Sequence, residues 1–381
     1  MTAVPYFRPA LGEDEIAAVT ACLRSGWLTS GPEVAAFEAE FAAALGGGVQ
    51  AVAVNSASAA LHLALEALGL GPGDEVILPT LTFTATAEAV RHLGAVPVLV
   101  DIDADTLCLD PGAVAAAVTP RSRAILPVHF AGRPCDMAAL ADLARSQGLM
   151  LVVDAAHAFP AHLQGCPVGQ GAAQATAFSF YANKTLTTGE GGMLVTSDAA
   201  LAARACRMRL HGIERRAQAA GAPPGWAYEV IAPGYKYNLT DIAAAIGRVQ
   251  LRRAQALADR RAQLAARYDA TLADLPVILP PRAAPGDGHA WHLYVLQIRP
   301  EAPLDRDALY AALSAQGIGL SVHYRPLHQL RAWSGLAGPQ GYPQAERYFA
   351  RCLSLPLFPD LTEADQDRVI AALRHLLGGA A

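Results

Sequence analysis

Short apolar runs alternate with longer amphipathic stretches between about residues 50 and 200 of the chain. Runs such as EVILP, AVPVLV and LMLVVD predict buried strands. Stretches between them, such as SASAALHLALEALGL and MAALADLARSQG, carry apolar residues at helical spacing and predict helices. This alternation predicts an α/β fold with a mostly parallel central sheet and helices on both of its faces.

The pattern changes in the last third of the chain. A long helical stretch covers roughly residues 240 to 275, and the Pro- and Gly-rich segment PPRAAPGDG at 280–288 then breaks it. WHLYVLQI and the segments after it predict a smaller α+β unit. We therefore predict a large domain over 1–250, a connecting helix over 251–275 and a small C-terminal domain over 276–381.

Composition narrows the possible functions. The chain is 53% hydrophobic and carries a net charge of −5, without a basic stripe, which argues against a nucleic-acid partner. No apolar run approaches the roughly 18 residues that a membrane-spanning helix needs, and the N-terminus lacks a signal pattern. The six cysteines are scattered without CxxC pairs, so we expect reduced thiols, a cytoplasmic protein and no metal site.

Lysine is rare in this sequence. Only two of its 29 lysine and arginine residues are lysines, Lys184 and Lys236. Codon bias towards arginine accounts for the rarity, but it does not account for the positions of the two lysines that remain. The guanidinium of arginine stays protonated and is a poor nucleophile. Any amine chemistry of this chain therefore depends on Lys184 or Lys236.

Two groups of polar residues follow predicted strands, at the sheet edge where α/β proteins bind ligands. In VAVNSASAALHLAL, Asn55, Ser56 and Ser58 stand at a helix start, either as a phosphate cradle or as ordinary caps. Asp154 ends the strand LMLVVD. It either caps the next helix or meets a cation such as a protonated pyridine nitrogen. His157 in the same segment is a second candidate, or else a structural histidine.

Two further groups complete this set. Lys184 lies in FSFYANKTLTTGEGG after another strand, where it is either a reactive amine or a surface-loop lysine. Ser179, five residues earlier, can donate to a phosphate. Phe83 follows the strand EVILP and either covers a flat heterocycle or packs in the core. Together the four groups supply what pyridoxal phosphate needs: a Schiff-base lysine, an acid for the ring nitrogen, a phosphate cradle and a stacking ring.

The order of several motifs resembles that of a known family. NSASAALHLAL, ILPTLTFTATAEAV, DAAHAFPA, FSFYANKTLTTGEGG, GYKYNLTDIAAAIG and HYRPLH occur as in the DegT/DnrJ/EryC1/StrS family. These are pyridoxal-phosphate-dependent nucleotide-sugar aminotransferases with the aspartate-aminotransferase fold (type I). Within the family, EVIAPGYKYNLTDIAAAI and HAWHLYVLQI look most like the enzymes that form UDP-4-amino-4-deoxy-L-arabinose.

The resemblance implies a role for each matched residue. Lys184 would hold the cofactor as a Schiff base and then move the substrate proton. Asp154 would pair with the pyridine nitrogen, His157 would bind the ring hydroxyl, and Phe83 would stack on the ring. The resemblance also implies phosphate contacts by Ser56, Ala57 and Ser179, a phosphate contact by Asn238 of a partner subunit, and sugar-nucleotide contacts by Tyr6, Trp27, Thr29, Ser30, Lys236, His323, Tyr324 and Arg325.

The implied reaction is a ping-pong transfer from L-glutamate to a keto carbon, C4, of a nucleotide-activated sugar in a homodimer with shared sites. Transfer to a 3-keto sugar or an aminocyclitol precursor is an alternative, because it keeps every cofactor residue. Dehydratases of the family replace the lysine with histidine, and a non-catalytic sensor would lack the lysine or the acid. Pro160 in HAFPA stands where many relatives have glycine, and TTGEGG and HYRPLH depart from the arabinose enzymes, so the particular sugar stays open.

Overall fold

The computed structural model describes residues 3–214, 226–338 and 341–378. Its strands are β1 (Gln50–Val54), β2 (Glu75–Pro79), β3 (Val96–Val100), β4 (Ser122–Ile125), β5 (Met150–Asp154), β6 (His162–Leu163), β7 (Cys166–Pro167), β8 (Ala175–Ser179), β9 (Gly192–Thr196), β10 (Ile213–Glu214), β11 (Glu229–Val230), β12 (Val277–Ile278), β13 (Tyr294–Ile298) and β14 (Cys352–Leu355). Its α-helices are α1 (Glu13–Ser25), α2 (Pro32–Ala44), α3 (Ala57–Ala67), α4 (Thr84–His92), α5 (Pro111–Ala117), α6 (Met137–Gln147), α7 (Ala199–Met208), α8 (Asp241–Leu272), α9 (Arg306–Ala315), α10 (Pro343–Arg351) and α11 (Glu363–Leu377).

Seven strands form the central sheet in the order β1-β9-β8-β5-β4-β2-β3. The pairs from β8 through β3 are parallel, whereas β9 runs antiparallel to both β1 and β8. Strands buried on both faces read as continuous apolar runs, as β2 and β9 do. The predicted fold class, a mostly parallel sheet within an α/β domain, is confirmed.

Parallel pairing aligns the carboxyl ends of β5 and β8. Asp154 pairs with Ala177, so Asp154 and Ser179 both emerge at the same edge of the sheet. The turn between β1 and α3 meets this edge as well, because β9 pairs with both β1 and β8. Three of the predicted polar groups are thereby brought together by strand order alone.

Helices cover both faces of the sheet, as the sequence pattern predicts. One apolar core lies between α3, α4 and α7 and the sheet. The other contains the aromatic side chains of Phe37 and Phe41 in α2, packed against Phe159, Phe178 and Phe180. This second core attaches α2 to the sheet directly behind the loop that carries Lys184.

The buried carboxylate of Asp241 ties α8 to the start of α2. Its Oδ1 accepts hydrogen bonds from the backbone N–H groups of Gly31 at 2.7 Å and Val34 at 3.0 Å, and its Oδ2 accepts one from Glu33 at 3.2 Å. These amides are the donors that the first turn of a helix leaves unpaired. The contact holds residues 29–34 against residues 238–241.

The C-terminal unit has its own core. Antiparallel β12, β13 and β14 pack with α9 and α11, and the C-terminal half of α8 contributes Leu264, Tyr268 and Leu272 to the same cluster. Helix α8 covers the predicted helical stretch. Its side chains belong both to the core that contains α2 and to the core of the C-terminal unit, so the exact domain boundaries stay a prediction. None of the helices among the described residues is both long enough and apolar enough to cross a membrane.

Candidate active site

A cavity of about 450 Å³ opens at the carboxyl edge of β5 and β8. Many of the residues predicted for the site line it: Ser56, Ala57, Phe83, Asp154, His157, Ser179, Lys184, His323 and Tyr324. They come from segments more than 250 residues apart along the chain, and the fold brings them to one surface. The cavity is therefore where the chemistry of these side chains can combine.

The start of α3 forms one end of the cavity. Ser56 is its N-cap, and its Oγ accepts a hydrogen bond from the N–H of Ala59 at 3.1 Å. The N–H groups of the first turn carry partial positive charge and attract anions. A Cβ on Gly192 would lie 2.4 Å from the carbonyl carbon of Ser56, so only glycine lets β9 approach this turn. Ser179 lines the cavity at the end of β8.

Asp154 lies at the floor of the cavity and is 6% exposed. Its Oδ2 accepts a hydrogen bond from Thr86 Oγ1 at 2.8 Å, and its Oδ1 accepts one from the N–H of Ala156 at 3.0 Å. Burial raises the pKa of the carboxyl, and the two hydrogen bonds and the charge of Lys184 oppose that rise. The residues that follow form a turn instead of a helix, so helix capping does not explain this acid.

The amine of Lys184 faces the cavity from the loop between β8 and β9. Burial lowers its pKa from 10.5 to about 8, and the carboxylate of Asp154 works in the opposite direction. A neutral amine is the nucleophilic form, so this environment makes Lys184 reactive near neutral pH. The side chain is half-buried in the cavity wall, which is not the setting of a surface-loop lysine.

His157 and Tyr324 line another side of the cavity. The Nδ1 atom of His157 accepts a hydrogen bond from the N–H of Ala131 at 3.3 Å, and its Nε2 lies 3.1 Å from the hydroxyl oxygen of Tyr324. Burial lowers the pKa of His157 well below its ordinary range, so the ring is neutral and Nε2–H donates to Tyr324.

Phe83 stands at the N-cap of α4 and is 58% exposed. Its ring centroid is 5.9 Å from that of Tyr324. The alternative that Phe83 packs in the core is wrong, because β2 ends before it and the ring projects into the cavity mouth. An exposed ring in this place offers a flat apolar surface to a planar ligand.

A second cluster of predicted residues lies outside the cavity of the same chain. The ammonium of Lys236 donates to Asn238 Oδ1 at 2.7 Å, and Asn238 Nδ2 donates to Ser30 Oγ at 2.8 Å and Thr29 Oγ1 at 3.5 Å. The indole N–H of Trp27 donates to the carbonyl of Ser30 at 3.2 Å. Lys236 is exposed, which agrees with the solvated-loop alternative within a single chain.

The last two predicted residues take different positions. Tyr6 stacks on His323 with ring centroids 5.8 Å apart, and it borders a small neighbouring cavity instead of the main one. Burial lowers the pKa of His323 to about 4, so this imidazole is neutral. Arg325 is exposed to solvent beside Tyr324.

Sequence reasoning missed several residues of the site. Thr86 supports Asp154, Asn183 precedes Lys184 in the cavity wall, and His292 lies 3.5 Å from the Lys184 amine. Tyr181 and Glu190 also line the cavity. All of them sit inside segments quoted for the family resemblance, ILPTLTFTATAEAV, FSFYANKTLTTGEGG and HAWHLYVLQI. Nothing in HAWHLYVLQI indicates contact with a lysine 108 residues away along the chain.

Fold and site together define an aminotransferase. Residues 9–374 match the DegT/DnrJ/EryC1/StrS aminotransferase family, and the chain belongs to that family. The resemblance expected from the motifs is thereby confirmed.

The chain is similar to several known members. It is 46% identical over 382 residues to the spore coat polysaccharide biosynthesis protein SpsC of Bacillus subtilis (strain 168), covering 99% of this chain and 98% of that protein. The structure superimposes with a TM-score of 0.92 on Spr1654 of Streptococcus pneumoniae in its PMP form, described as a sugar aminotransferase, at 33% identity and 98% coverage of both chains. It superimposes with a TM-score of 0.89 on S. venezuelae DesV in complex with a ketimine intermediate, at 40% identity and 98% coverage of both chains.

Proposed function

We propose that this protein is a pyridoxal-phosphate-dependent aminotransferase that moves an amino group from L-glutamate to a keto carbon, C4, of a nucleotide-activated sugar. One observation carries the proposal: the amine of Lys184, with its pKa lowered to about 8, faces the cavity that also exposes Asp154 and the N-terminus of α3. The similarity to SpsC, a polysaccharide biosynthesis protein, and to DesV supports a sugar as the acceptor.

The cavity fits pyridoxal phosphate in three respects. The first turn of α3 and Ser179 offer donors to a phosphate. The carboxyl of Asp154 is buried, and its hydrogen-bond donors, Thr86 and Ala156, are neutral, so a pyridinium N–H would supply the charge that stabilises the carboxylate. Phe83 presents an exposed ring for stacking. These groups lie around the Lys184 amine, as a covalently held cofactor requires.

When bound, pyridoxal phosphate supplies an aldehyde that bonds to amines and a protonated ring that withdraws electrons from the neighbouring carbon. The Nζ atom of Lys184 would hold this group covalently. Once released, the same neutral amine would move the Cα proton of the amino donor to C4′ of the cofactor, and in the second half-reaction it would move a proton from C4′ to the acceptor carbon. The lowered pKa keeps enough of the amine unprotonated for both tasks.

Other residues would hold and orient the reactants. Asp154, fixed by Thr86, would keep the ring nitrogen protonated, because a buried carboxylate beside it stabilises a positive charge. The neutral Nε2–H of His157 would turn from Tyr324 towards the ring hydroxyl. Ser56, Ala57 and Ser179 would bind the phosphate.

We propose that the functional unit is a homodimer with shared sites. Asn238 and Lys236 lie in an exposed cluster outside the cavity of their own chain, where a second subunit can be reached. Trp27 and Leu28 in the same region are 54% and 45% exposed, as is typical of an interface. Asn238 would then contact the cofactor phosphate of the partner subunit.

Substrate contacts complete the proposal. The sugar nucleotide would meet Tyr6, Trp27, Thr29, Ser30, Lys236, His323, Tyr324 and Arg325. Lys236 and Arg325 are exposed cations that suit a diphosphate. We also propose the cytoplasm as the compartment, because all six cysteines are free thiols.

A chemical test uses the scarcity of lysine. The purified protein is reduced with borohydride, and the modified peptide is mapped. We expect the pyridoxyl group on Lys184, and we expect Lys184→Arg to remain folded without the label or transamination. A label on Lys236, or none, would contradict the assignment.

The acceptor is tested with a panel of UDP-, dTDP- and GDP-linked 4-keto sugars and the corresponding 3-keto sugars. Each is incubated with glutamate, and the release of 2-oxoglutarate is followed. Turnover of at least one of these sugars is expected, and turnover of a 3-keto sugar alone would replace C4 as the position.

A further inference from the structure

His292 is held firmly beside the reactive amine. It is 4% exposed, and its Nε2 lies 3.5 Å from Lys184 Nζ. Its ring centroid is 4.4 Å from that of His157. Its N–H donates to the carbonyl of Ala131 at 3.0 Å, and its carbonyl accepts from the buried Arg261 at 3.5 Å. The backbone of His292 is thus fixed on both sides, and the buried ring packs against His157.

The other ring nitrogen points to a second feature. Within the described ranges, neither His292 Nδ1 nor Asn183 Oδ1 has a hydrogen-bond partner, although both atoms are buried. His292 and Asn183 both border a small cavity of about 10 Å³, which is the space that one water molecule occupies. Buried polar groups are costly when unpaired, so a water that bridges the two would satisfy both.

We propose that His292 is a positioning residue for Lys184: its Nε2 accepts a hydrogen bond from the lysine amine, while its Nδ1–H donates through one water to the amide oxygen of Asn183. The inference rests on the proposed function only in taking Lys184 as the reacting amine. The ammonium of Lys184 can only donate, so Nε2 of the neutral ring accepts. The ring proton therefore stands at Nδ1, where it donates to the water.

Charge explains why a histidine suits this place. Burial lowers the pKa of His292 well below its ordinary range, and the nearby cations lower it further, so the ring stays neutral. A carboxylate in the same position would hold the amine protonated, whereas a neutral acceptor orients it and leaves its pKa low. The titratable or charged groups that face this pair are Asp154, His157, Arg261, His323 and Tyr6.

The test measures the pKa of Lys184 directly. Full-length protein labelled with 13Cε-lysine and freed of cofactor shows two lysine signals, which the Lys236→Arg variant assigns. In His292→Phe we expect the pKa of Lys184 to fall by about one unit, because an ammonium loses a hydrogen-bond acceptor. In His292→Gln, whose amide reaches the place of Nε2, the pKa returns to within a few tenths of the wild-type value. The Lys236 signal serves as the internal reference for both variants.

An unchanged or raised pKa of Lys184 in folded His292→Phe overturns the proposal. If that variant does not fold, His292→Asn replaces it, since its shorter amide cannot reach the amine and must show the fall that His292→Gln does not. The tautomer is read from 15N-labelled histidine: a proton on Nε2 of His292 would also overturn the proposal. No cofactor or sugar enters these measurements, so their failure is distinct from failure of the borohydride mapping.

Discussion

At the residue scale, the function depends on an amine placed where its charge is unfavourable. Lys184 loses hydration in the cavity wall, and the carboxylate of Asp154, which opposes the fall of its pKa, already accepts hydrogen bonds from Thr86 and Ala156. The buried amine therefore lowers the stability of the folded protein while it provides a reactive base, as is common in active sites. The cost has a defined dependence on pH.

Replacing Lys184 with methionine should stabilise the cofactor-free protein below pH 8. Below that pH the amine is protonated in both the folded and the unfolded chain. Burying its charge costs at most about 3 kcal/mol of folding free energy, and solvent that enters through the cavity reduces this cost. Between the folded pKa of about 8 and the ordinary 10.5, the unfolded chain binds more protons, so wild-type stability rises with pH. The advantage of Lys184→Met should shrink across that window.

Denaturant unfolding from pH 7 to pH 10 measures this difference. The Lys184→Arg variant is the matched control, because its guanidinium stays charged throughout this range. The free energy of unfolding of the wild type should therefore rise relative to that of Lys184→Arg over the same window. A difference between wild type and Lys184→Met that does not change with pH would contradict a lowered pKa.

At the element scale, the site depends on how closely β9 approaches the turn before α3. The Cβ that any other residue would place at Gly192 comes within 2.6 Å of three backbone atoms of Ser56 and Ala57. Backbone atoms cannot rotate away as a flexible side chain can. The geometry of the α3 N-terminus therefore depends on a glycine in the neighbouring strand.

The Gly192→Ala variant should lose both stability and cofactor affinity. We expect unfolding to become easier by about 2 kcal/mol from overpacking. The dissociation constant for pyridoxal phosphate should rise at least about tenfold, as expected if the displaced turn loses one hydrogen bond to the phosphate. Fluorescence titration and thermal melting measure the two effects.

Gly71→Ala is the control for this prediction, since a Cβ there meets nothing within 4 Å. It should behave like the wild type in both measurements. Unaltered cofactor affinity in Gly192→Ala would show that the turn does not need the close approach of β9.

At the scale of the whole molecule, the arrangement of the polar clusters predicts complementation between subunits. Lys184→Ala and Asn238→Asp should each be inactive, because one lacks the amine and the other repels a phosphate. Mixed and reassociated, they should recover about a quarter of wild-type activity, since half of randomly paired dimers contain one intact site. Release of 2-oxoglutarate measures the recovery.

A mixture of Lys184→Ala with Asp154→Asn is the control. Both residues line the cavity of one chain, so no pairing of these variants forms an intact site. No recovery in the Lys184→Ala and Asn238→Asp mixture despite subunit exchange would place Asn238 in the site of its own chain. Recovery in the control would contradict a site that takes Lys184 and Asp154 from one chain.

The sequence by itself determined the alternation of strands and helices and the small set of residues able to carry amine chemistry. Both follow from local properties: side-chain periodicity, the capping preference of Ser56, and the fact that arginine cannot replace a nucleophilic lysine. These properties belong to segments of a few residues, so they can be read without a fold. The family motifs added the expected role of each residue.

The tertiary structure decided which of these residues lie close together in space and which are buried. Thr86 meets Asp154 from 68 residues away, and Ser30 meets Asn238 from 208 residues away. Sequence also left open whether Phe83 is buried, and only the packing shows that it is exposed. The neutral state of His157 and His292 and the lowered pKa of Lys184 come from burial and from charges on separate elements. Burial and long-range contacts are properties of the packed chain, and therefore no single segment contains them.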